Sequence, residues 1–241
     1  MISVVIAYYN RKPQLEVALR TIDCENIIIV DDASDEKLVG DGVINISKEE
    51  KYWLSDGTIP YNRGIARALE IGSDIIILQN AECYHVGDVI KYALENTTDD
   101  NYISFPCFSL SKDADLIDAM KENNRAVLHN GDNGWYNHKE YRPNGYMFCA
   151  SITANTLRKM NGFDERFSHG VAMADADFVR RLGVMGIKIE IPDAPFVVHQ
   201  WHYDDIDPYS IDGMYKRNQD LHKELSEGNN YYAKHLLTKD F

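Results

Sequence analysis

The stretch Asn26–Ser34 reads NIIIVDDAS. Its unbroken run of β-branched residues is too short for a helix and lacks polar alternation, as in a strand buried on both faces of a parallel sheet. It ends abruptly in Asp31-Asp32-Ala33-Ser34, good turn and capping material. Runs of the same kind lie on either side. Ile2–Ala7 leaves through Tyr8-Tyr9-Asn10-Arg11, and Asp74–Leu78 leaves through Gln79-Asn80-Ala81-Glu82. Between them Asn10 is placed to cap a helix carrying Leu15, Ala18 and Leu19, and Gly42–Ser47 reads as a weaker third strand. Tyr61-Asn62-Arg63-Gly64 opens a helix over Ile65–Ile71, and a helix from about Gly87 to Glu95 precedes a strand near Tyr102–Phe105. This alternation predicts an α/β fold with a mainly parallel central sheet and helices on both faces. Ligands of such sheets sit at the carboxyl ends of the strands. Here three of those ends carry polar residues: Tyr8/Tyr9, Asp31/Asp32 and Asn80/Glu82.

The second half is less regular. Leu110–Asn123 reads as a charged helix, and Arg125–Tyr146 has too little aliphatic content to be core. Met147–Ile152 is a strand, followed by a short helix over Thr153–Met160 with Thr153 as its cap. The segment NGFDERFSHGVAMADADFVRRL, Asn161–Leu182, opens on a turn signal and places Asp175 and Asp177 where a helix should start. Carboxylates in a first turn suit the helix dipole. That accounts for one of the two, and the other is a candidate catalytic base. Strands at Ile187–Ile191 and Phe196–Val198 follow, the second ending in His199-Gln200-Trp201-His202. The tail from Ser210 reads as helical to about Leu225, with the last ten residues expected to be peripheral.

Composition narrows the function. Of 241 residues 44% are hydrophobic and 26% charged, an ordinary globular balance. A net charge of −13 repels polyphosphate and argues against nucleic acid as a partner. Any nucleotide would need a local cation. The N-terminus lacks the basic start and length of a signal peptide, and no run approaches a membrane span. Cytoplasmic residence is the expectation, with peripheral membrane attachment left open. Cys24, Cys83, Cys107 and Cys149 are widely spaced and read as reduced thiols.

Each candidate group has a structural alternative. Asp31 and Asp32 either build a turn or accept from a nucleobase N–H and a ribose hydroxyl. Asn80 and Glu82 either end a strand or offer oxygen ligands to a hard cation beside a diphosphate. His199 and His202 are either ordinary histidines or ligands, and imidazole with carboxylate and amide oxygen suits Mn²⁺ better than Mg²⁺. Arg63 at a helix start is unfavourable for the dipole, which points to a phosphate or carboxylate partner, and Gly64 beside it allows close backbone approach. Trp135, Tyr136 and Tyr146 suit loop packing, a sugar face or a lid.

Taken in order, these pieces resemble the GT-A glycosyltransferases, most closely the large family 2 group. The matching motifs are Ala7-Tyr8-Tyr9-Asn10-Arg11, Asp31-Asp32-Ala33-Ser34, Asn62-Arg63-Gly64, Asn161-Gly162-Phe163-Asp164-Glu165, and Ala174-Asp175-Ala176-Asp177 with Arg180 or Arg181. The order over residues 1–202 is more specific than any one motif. Two departures stand out: Asp-x-Asp has become Asn80-Ala81-Glu82, and the acid before Asp175 has become Ala174. The resemblance implies a GT-A domain over 1–209, its nucleotide-binding half 1–105 and its acceptor and catalytic half 106–209, with 210–241 a helical extension. It implies a UDP-sugar donor held by Ala7, Tyr8, Tyr9, Arg11, Asp31, Asp32, Asn62, Arg63, Gly64, Gln79 and Asn80. It also implies a divalent cation, Mn²⁺ ahead of Mg²⁺, on Asn80, Glu82 and His199 or His202. Trp135, Tyr136, Tyr146 and Asp177 fall on the acceptor and sugar side. Asp175 would be the general base of an inverting transfer to a glycan or other hydroxyl. The alternatives are a non-catalytic nucleotide-sugar-binding protein, favoured by Asn80 and Ala174, and a sugar nucleotidyltransferase. The second lacks the expected glycine-rich loop in Ala7–Pro13.

Overall fold

A computed structural model describes residues 1–53, 57–112, 115–116, 134–203 and 213–241. The aliphatic runs form the centre of a seven-stranded sheet. Its strands are β1 (Ile2–Tyr8), β2 (Ile27–Asp31), β3 (Val43–Asn45), β4 (Ile75–Asn80), β6 (Asn101–Ser104), β9 (Cys149–Thr153) and β10 (Lys188–Glu190). Their spatial order is β10-β6-β9-β4-β1-β2-β3. The pairs β1–β2, β1–β4, β2–β3 and β10–β6 are parallel, and β9 runs antiparallel between β4 and β6. The expected mainly parallel sheet is therefore present.

Side-chain alternation divides the core between the two faces. Val5, Ile28, Val30, Ile76 and Leu78 face one way, under α2 (Thr58–Glu70), α4 (Ala154–Met160) and α5 (Ala174–Val184). Val4, Ile6, Ile29 and Ile77 face the other, with Leu15 of α1 (Lys12–Leu19) and Val89, Ile90 and Ala93 of α3 (Val89–Asn96). Capping fixes two helix starts: the Thr153 side chain accepts from Thr156 N–H, as expected, and Asp88 accepts from Lys91 N–H.

Four expectations are corrected. Helix α2 begins at Thr58, a turn before Tyr61, because Gly57 takes a left-handed conformation and starts it early. Asn10 does not cap α1. It is itself left-handed, and its amide clamps Asp35, accepting from the Asp35 N–H and donating to the Asp35 carboxylate. A second sheet, ordered β5-β11-β7-β8, is built from β5 (Cys83–Val86), β7 (Cys107–Ser109), β8 (Trp135–Asn137) and β11 (Phe196–His199). Its strands are short, and only β11 was expected from sequence. Finally, the last ten residues are not peripheral. Ala233 is buried, and Phe241 packs on the α2 side of the core. Of the expected helix at Leu110–Asn123, residues 113–114 and 117–123 lie outside the described residues, as do the 125–133 part of the polar loop and the start of the tail at 210–212. The tail helix itself, α6, spans Met214–Ser226.

Candidate active site

At the carboxyl end of the sheet, β1, β2 and β4 finish side by side, with Tyr8 opposite Asp31 and Ala7 opposite Asn80. Just past β4, the chain turns into β5 and presents Glu82. Pairing of β5 with β11 sets Cys83 opposite His199, which brings Glu82 to the histidines. Gln200 locks the junction: its backbone and side-chain N–H groups both donate to the Glu82 carbonyl, at 3.1 and 2.9 Å. The Glu82 carboxylate lies 3.1 Å from His199 Nε2 and 3.6 Å from His202 Nε2. Each of the three residues offers one ligand atom, and these atoms all lie within 4.8 Å of one another. One carboxylate oxygen and two imidazole nitrogens fit a first-row divalent ion better than Mg²⁺, whose preferred ligands are all oxygen. Burial works to raise the Glu82 carboxyl, but its hydrogen bonds to the two histidines outweigh this and hold it well below the usual carboxylate range. The His202 ring is raised by the same hydrogen bond. Both histidines thus converge on Glu82, where the sequence left a choice between them. Asn80 is engaged elsewhere, its Oδ1 accepting from the Tyr61 hydroxyl at 3.0 Å.

Asp175 stands in the first turn of α5, after two residues with left-handed backbone, Ala172 (φ 61°) and Met173 (φ 70°). Such backbone is uncommon outside glycine and collects at functional sites. Here it turns the chain sharply just before the helix, with Asp175 the second residue of its first turn. Asp175 is half-buried and makes no hydrogen bond or ion pair with the other described residues. Burial alone raises its carboxyl from the ordinary 3.8 to about 6. Its charge is felt by the hydroxyls of Tyr61, Tyr102 and Tyr146, whose ionisation burial already pushes upward. The Tyr102 hydroxyl is buried without a partner among the described residues. Unlike Asp175, Asp177 is fully buried, accepting from Arg180 at 2.8 Å and from Arg181 Nε at 2.7 Å. Arg181 passes the tie on to the carbonyl of Gly162 at 2.8 Å. Asp177 is therefore a structural ion pair, and its expected place on the acceptor side is corrected.

Several expected nucleotide contacts are occupied by the protein itself. The Asp31 carboxylate accepts from the N–H groups of Ser34 and Leu38, so it builds the turn after β2. Asp32 accepts from Lys51 Nζ at 2.8 Å and Trp53 Nε1 at 3.0 Å, and burial raises its carboxyl against the pull of both. Asn62 is buried and pairs with both the N–H and the carbonyl of Phe163. Arg63 has the carboxylate partner expected of it, Glu50, but lies inside α2 rather than at its start. Gly64 serves packing: a Cβ there would lie 2.2 Å from Val5 Cγ1. Gln79 is buried and hydrogen-bonded to the Cys83 carbonyl and the His85 ring. Tyr8 belongs to the core. Ala7, Tyr9 and Arg11 are partly exposed at the strand end, with Lys51 4.2 Å above the Tyr9 ring.

The aromatic candidates separate. Trp135 packs between Phe108 and Phe196, so it belongs to the packing of the second sheet rather than to a loop. Tyr136 stacks on Phe148 and meets the His199 ring edge-on at 5.1 Å, beside the triad. Tyr146 lies within the field of Asp175. Sequence reasoning missed Tyr61 and Tyr102, which look like core in a helix and a strand, and Lys51, which sits in a polar loop without a motif.

This architecture is that of the GT-A glycosyltransferases. The catalytic domain of Drosophila beta1,4-galactosyltransferase 7, in complex with xylobiose, is similar with a TM-score of 0.58 at 12% identity, over 90% of this chain and 79% of that one. An aspartate-to-asparagine mutant of the same enzyme, in complex with manganese, UDP-Gal and xylobiose, gives 0.57 at 12% identity over the same 90% and 79%. Residues 1–349 of S. aureus TarS give 0.55 at 12% identity, over 83% of this chain and 60% of that one. No protein-family model and no curated protein matches the chain in sequence. Among the described residues no helix is long and apolar enough to cross a membrane.

Proposed function

We propose that this chain is a glycosyltransferase of the family 2 kind that moves a sugar from a UDP-sugar to an acceptor hydroxyl, with inversion, using Asp175 as general base. The observation that carries the reading is Asp175 itself: a half-buried carboxyl without partners among the described residues, held at about 6 and presented from a left-handed turn. A structural carboxylate would be paired, as Asp177 is. A group near 6 is ionised at neutral pH yet basic enough to accept a proton. It takes the proton of the acceptor hydroxyl as that oxygen bonds to the anomeric carbon and the bond to the diphosphate breaks. General base action of this sort contributes roughly 10²–10⁴-fold.

Glu82, His199 and His202 would hold a divalent ion, which supplies positive charge against the leaving diphosphate. Asn80-Ala81-Glu82 then stands where the family has Asp-x-Asp, with the second histidine replacing the lost acid. That a fold neighbour is known in complex with manganese, UDP-Gal and xylobiose supports the same classes of ligand here. In this reading Tyr9, Arg11 and main chain near Ala7 lie on the nucleotide side, and Tyr136 and Tyr146 on the side of the sugars. Residues 1–105 form the nucleotide half and 106–209 the acceptor half in this reading.

The test is a panel of UDP-sugars with Mn²⁺ and a saccharide acceptor such as xylobiose, read by mass spectrometry and by NMR of the new anomeric centre. Transfer, or slow hydrolysis in the absence of acceptor, is expected and should depend on Mn²⁺. Tight UDP-sugar binding with neither reaction would instead establish a non-catalytic binding protein.

A further inference from the structure

Helix α6 lies beyond every motif that points to catalysis, yet its first turns grip the segment that leads into Asp175. Asn218 is fully buried. Its Nδ2 donates to the carbonyls of Phe167 and Ala172, both at 2.9 Å. Its Oδ1 accepts from Arg217 Nη1 at 2.8 Å, and the same Arg217 atom donates to the Arg166 carbonyl at 3.0 Å. Gly170 lies against this amide so closely that a Cβ there would come 2.3 Å from Asn218 Oδ1 and 2.8 Å from the Met214 carbonyl oxygen. One side chain thus ties the end of the 3₁₀ turn Glu165–His169 to Ala172, the first of the two left-handed residues that start α5. Two non-glycine residues in that conformation persist only where their surroundings over-determine them. The bonds from Asn218 are such surroundings.

We infer that Asn218 is a positioning residue for Asp175, so that the C-terminal helix is part of the catalytic unit and not an appendage. This rests on the reading of Asp175 as the base. Asn218 does not touch a reacting atom; it fixes the turn that leads into Asp175. A displacement of about 1 Å at a catalytic group can cost on the order of 10²-fold in rate.

The experiment uses the full chain with Asn218→Ala, which removes both ties, and Gly170→Ala, which leaves the amide in the sequence but drives a Cβ against it, so that α6 and its ties are displaced. The groups that feel Asp175 are the hydroxyls of Tyr61 from α2, Tyr102 from β6 and Tyr146 from the loop before β9. The Asp175 carboxyl titration is followed by NMR. In both variants its midpoint should fall from about 6 towards an ordinary carboxylate value as the group gains water. Turnover should drop roughly tenfold or more, with the KM for UDP-sugar within about twofold of the parent. An unchanged Asp175 titration with unchanged turnover, in either folded variant, overturns the inference. Loss of fold in both would assign Asn218 to stability alone and overturn it equally. If the parent chain transfers no sugar, the titration still reads the effect of Asn218 on Asp175, so the two failures are told apart.

Discussion

A carboxyl held at about 6 rather than 3.8 takes up a proton more readily in the folded chain than in the unfolded one. The sign follows from linkage: its favourable contribution is full below about pH 4 and is lost as pH rises through about 6. At neutral pH the ionised Asp175 therefore costs the fold about 3 kcal/mol. Asp175→Asn keeps the shape and removes the charge. Its melting temperature should equal that of the parent near pH 4, exceed it increasingly towards pH 6, and stay higher by a constant margin above. Transfer should fall by roughly 10²-fold or more at unchanged UDP-sugar affinity. A variant that is less stable than the parent at pH 7, or as active, would show that Asp175 is an ordinary structural carboxylate. The neighbouring Asp177 shows how far such roles are legible in sequence. Its pairing with Arg180 or Arg181 follows from helical spacing alone, and the chain uses both. That Asp175 has no partner among the described residues could not be read, because partners from distant elements are set by tertiary packing.

At the scale of elements, the strands of the seven-stranded sheet and most helices were legible because burial imposes a period on the sequence. The C-terminal segment was not, because polar groups hold it. The Glu165 carboxylate, fully buried, accepts from the N–H groups of Leu236, Leu237 and Thr238, and Asn161 binds the Ala233 carbonyl and the Phe241 N–H. Burial tends to raise the Glu165 carboxyl, but these donors and Asn62 outweigh it and lower it. Such ties leave no hydrophobic pattern. The motif Asn161-Gly162-Phe163-Asp164-Glu165 was visible, yet its partners lie about seventy residues away in the chain. Gly162 joins in, since a Cβ there would come 2.5 Å from the Phe241 ring. Glu165→Ala would leave three part-buried backbone donors without their carboxylate, each worth about 1 kcal/mol, the low end for an unpaired group. It should lower the free energy of unfolding by about 3 kcal/mol or more in a urea titration. Amide exchange should accelerate selectively at 233–241. Uniform acceleration over the whole chain, or none, would mean that the tail is not held by this residue.

For the whole molecule, the sequence pointed to one sheet and the chain contains two, and the candidate metal triad depends on the second. The strand β5 starts directly after Glu82, while β11 carries His199, and their antiparallel pairing joins residues more than a hundred positions apart. Of the two, β5 with its four residues was too short for alternation to reveal, so the convergence of Glu82 with both histidines was beyond the reach of spacing arguments. This arrangement predicts how a divalent ion should act. One carboxylate and two neutral imidazoles give the site a formal charge of only about −1 with which to hold the ion, so binding should be weak until a diphosphate adds its oxygens. Conversely, UDP brings charge towards a protein of net charge −13 and should bind poorly without the ion. Each ligand should therefore strengthen the other by the same factor, as linkage requires. Calorimetric titration of Mn²⁺ with and without UDP, and of UDP with and without Mn²⁺, measures both sides of the cycle. A tenfold or greater mutual enhancement is expected, with a rise in melting temperature for the pair that exceeds the sum of the separate shifts. His199→Ala or His202→Ala should each reduce the enhancement while leaving the metal-free affinity for UDP unchanged. Equal Mn²⁺ affinity with and without UDP would mean that the ion and the diphosphate do not share this site. Loss of the enhancement on replacing one histidine but not the other would give the ligand role to that histidine alone.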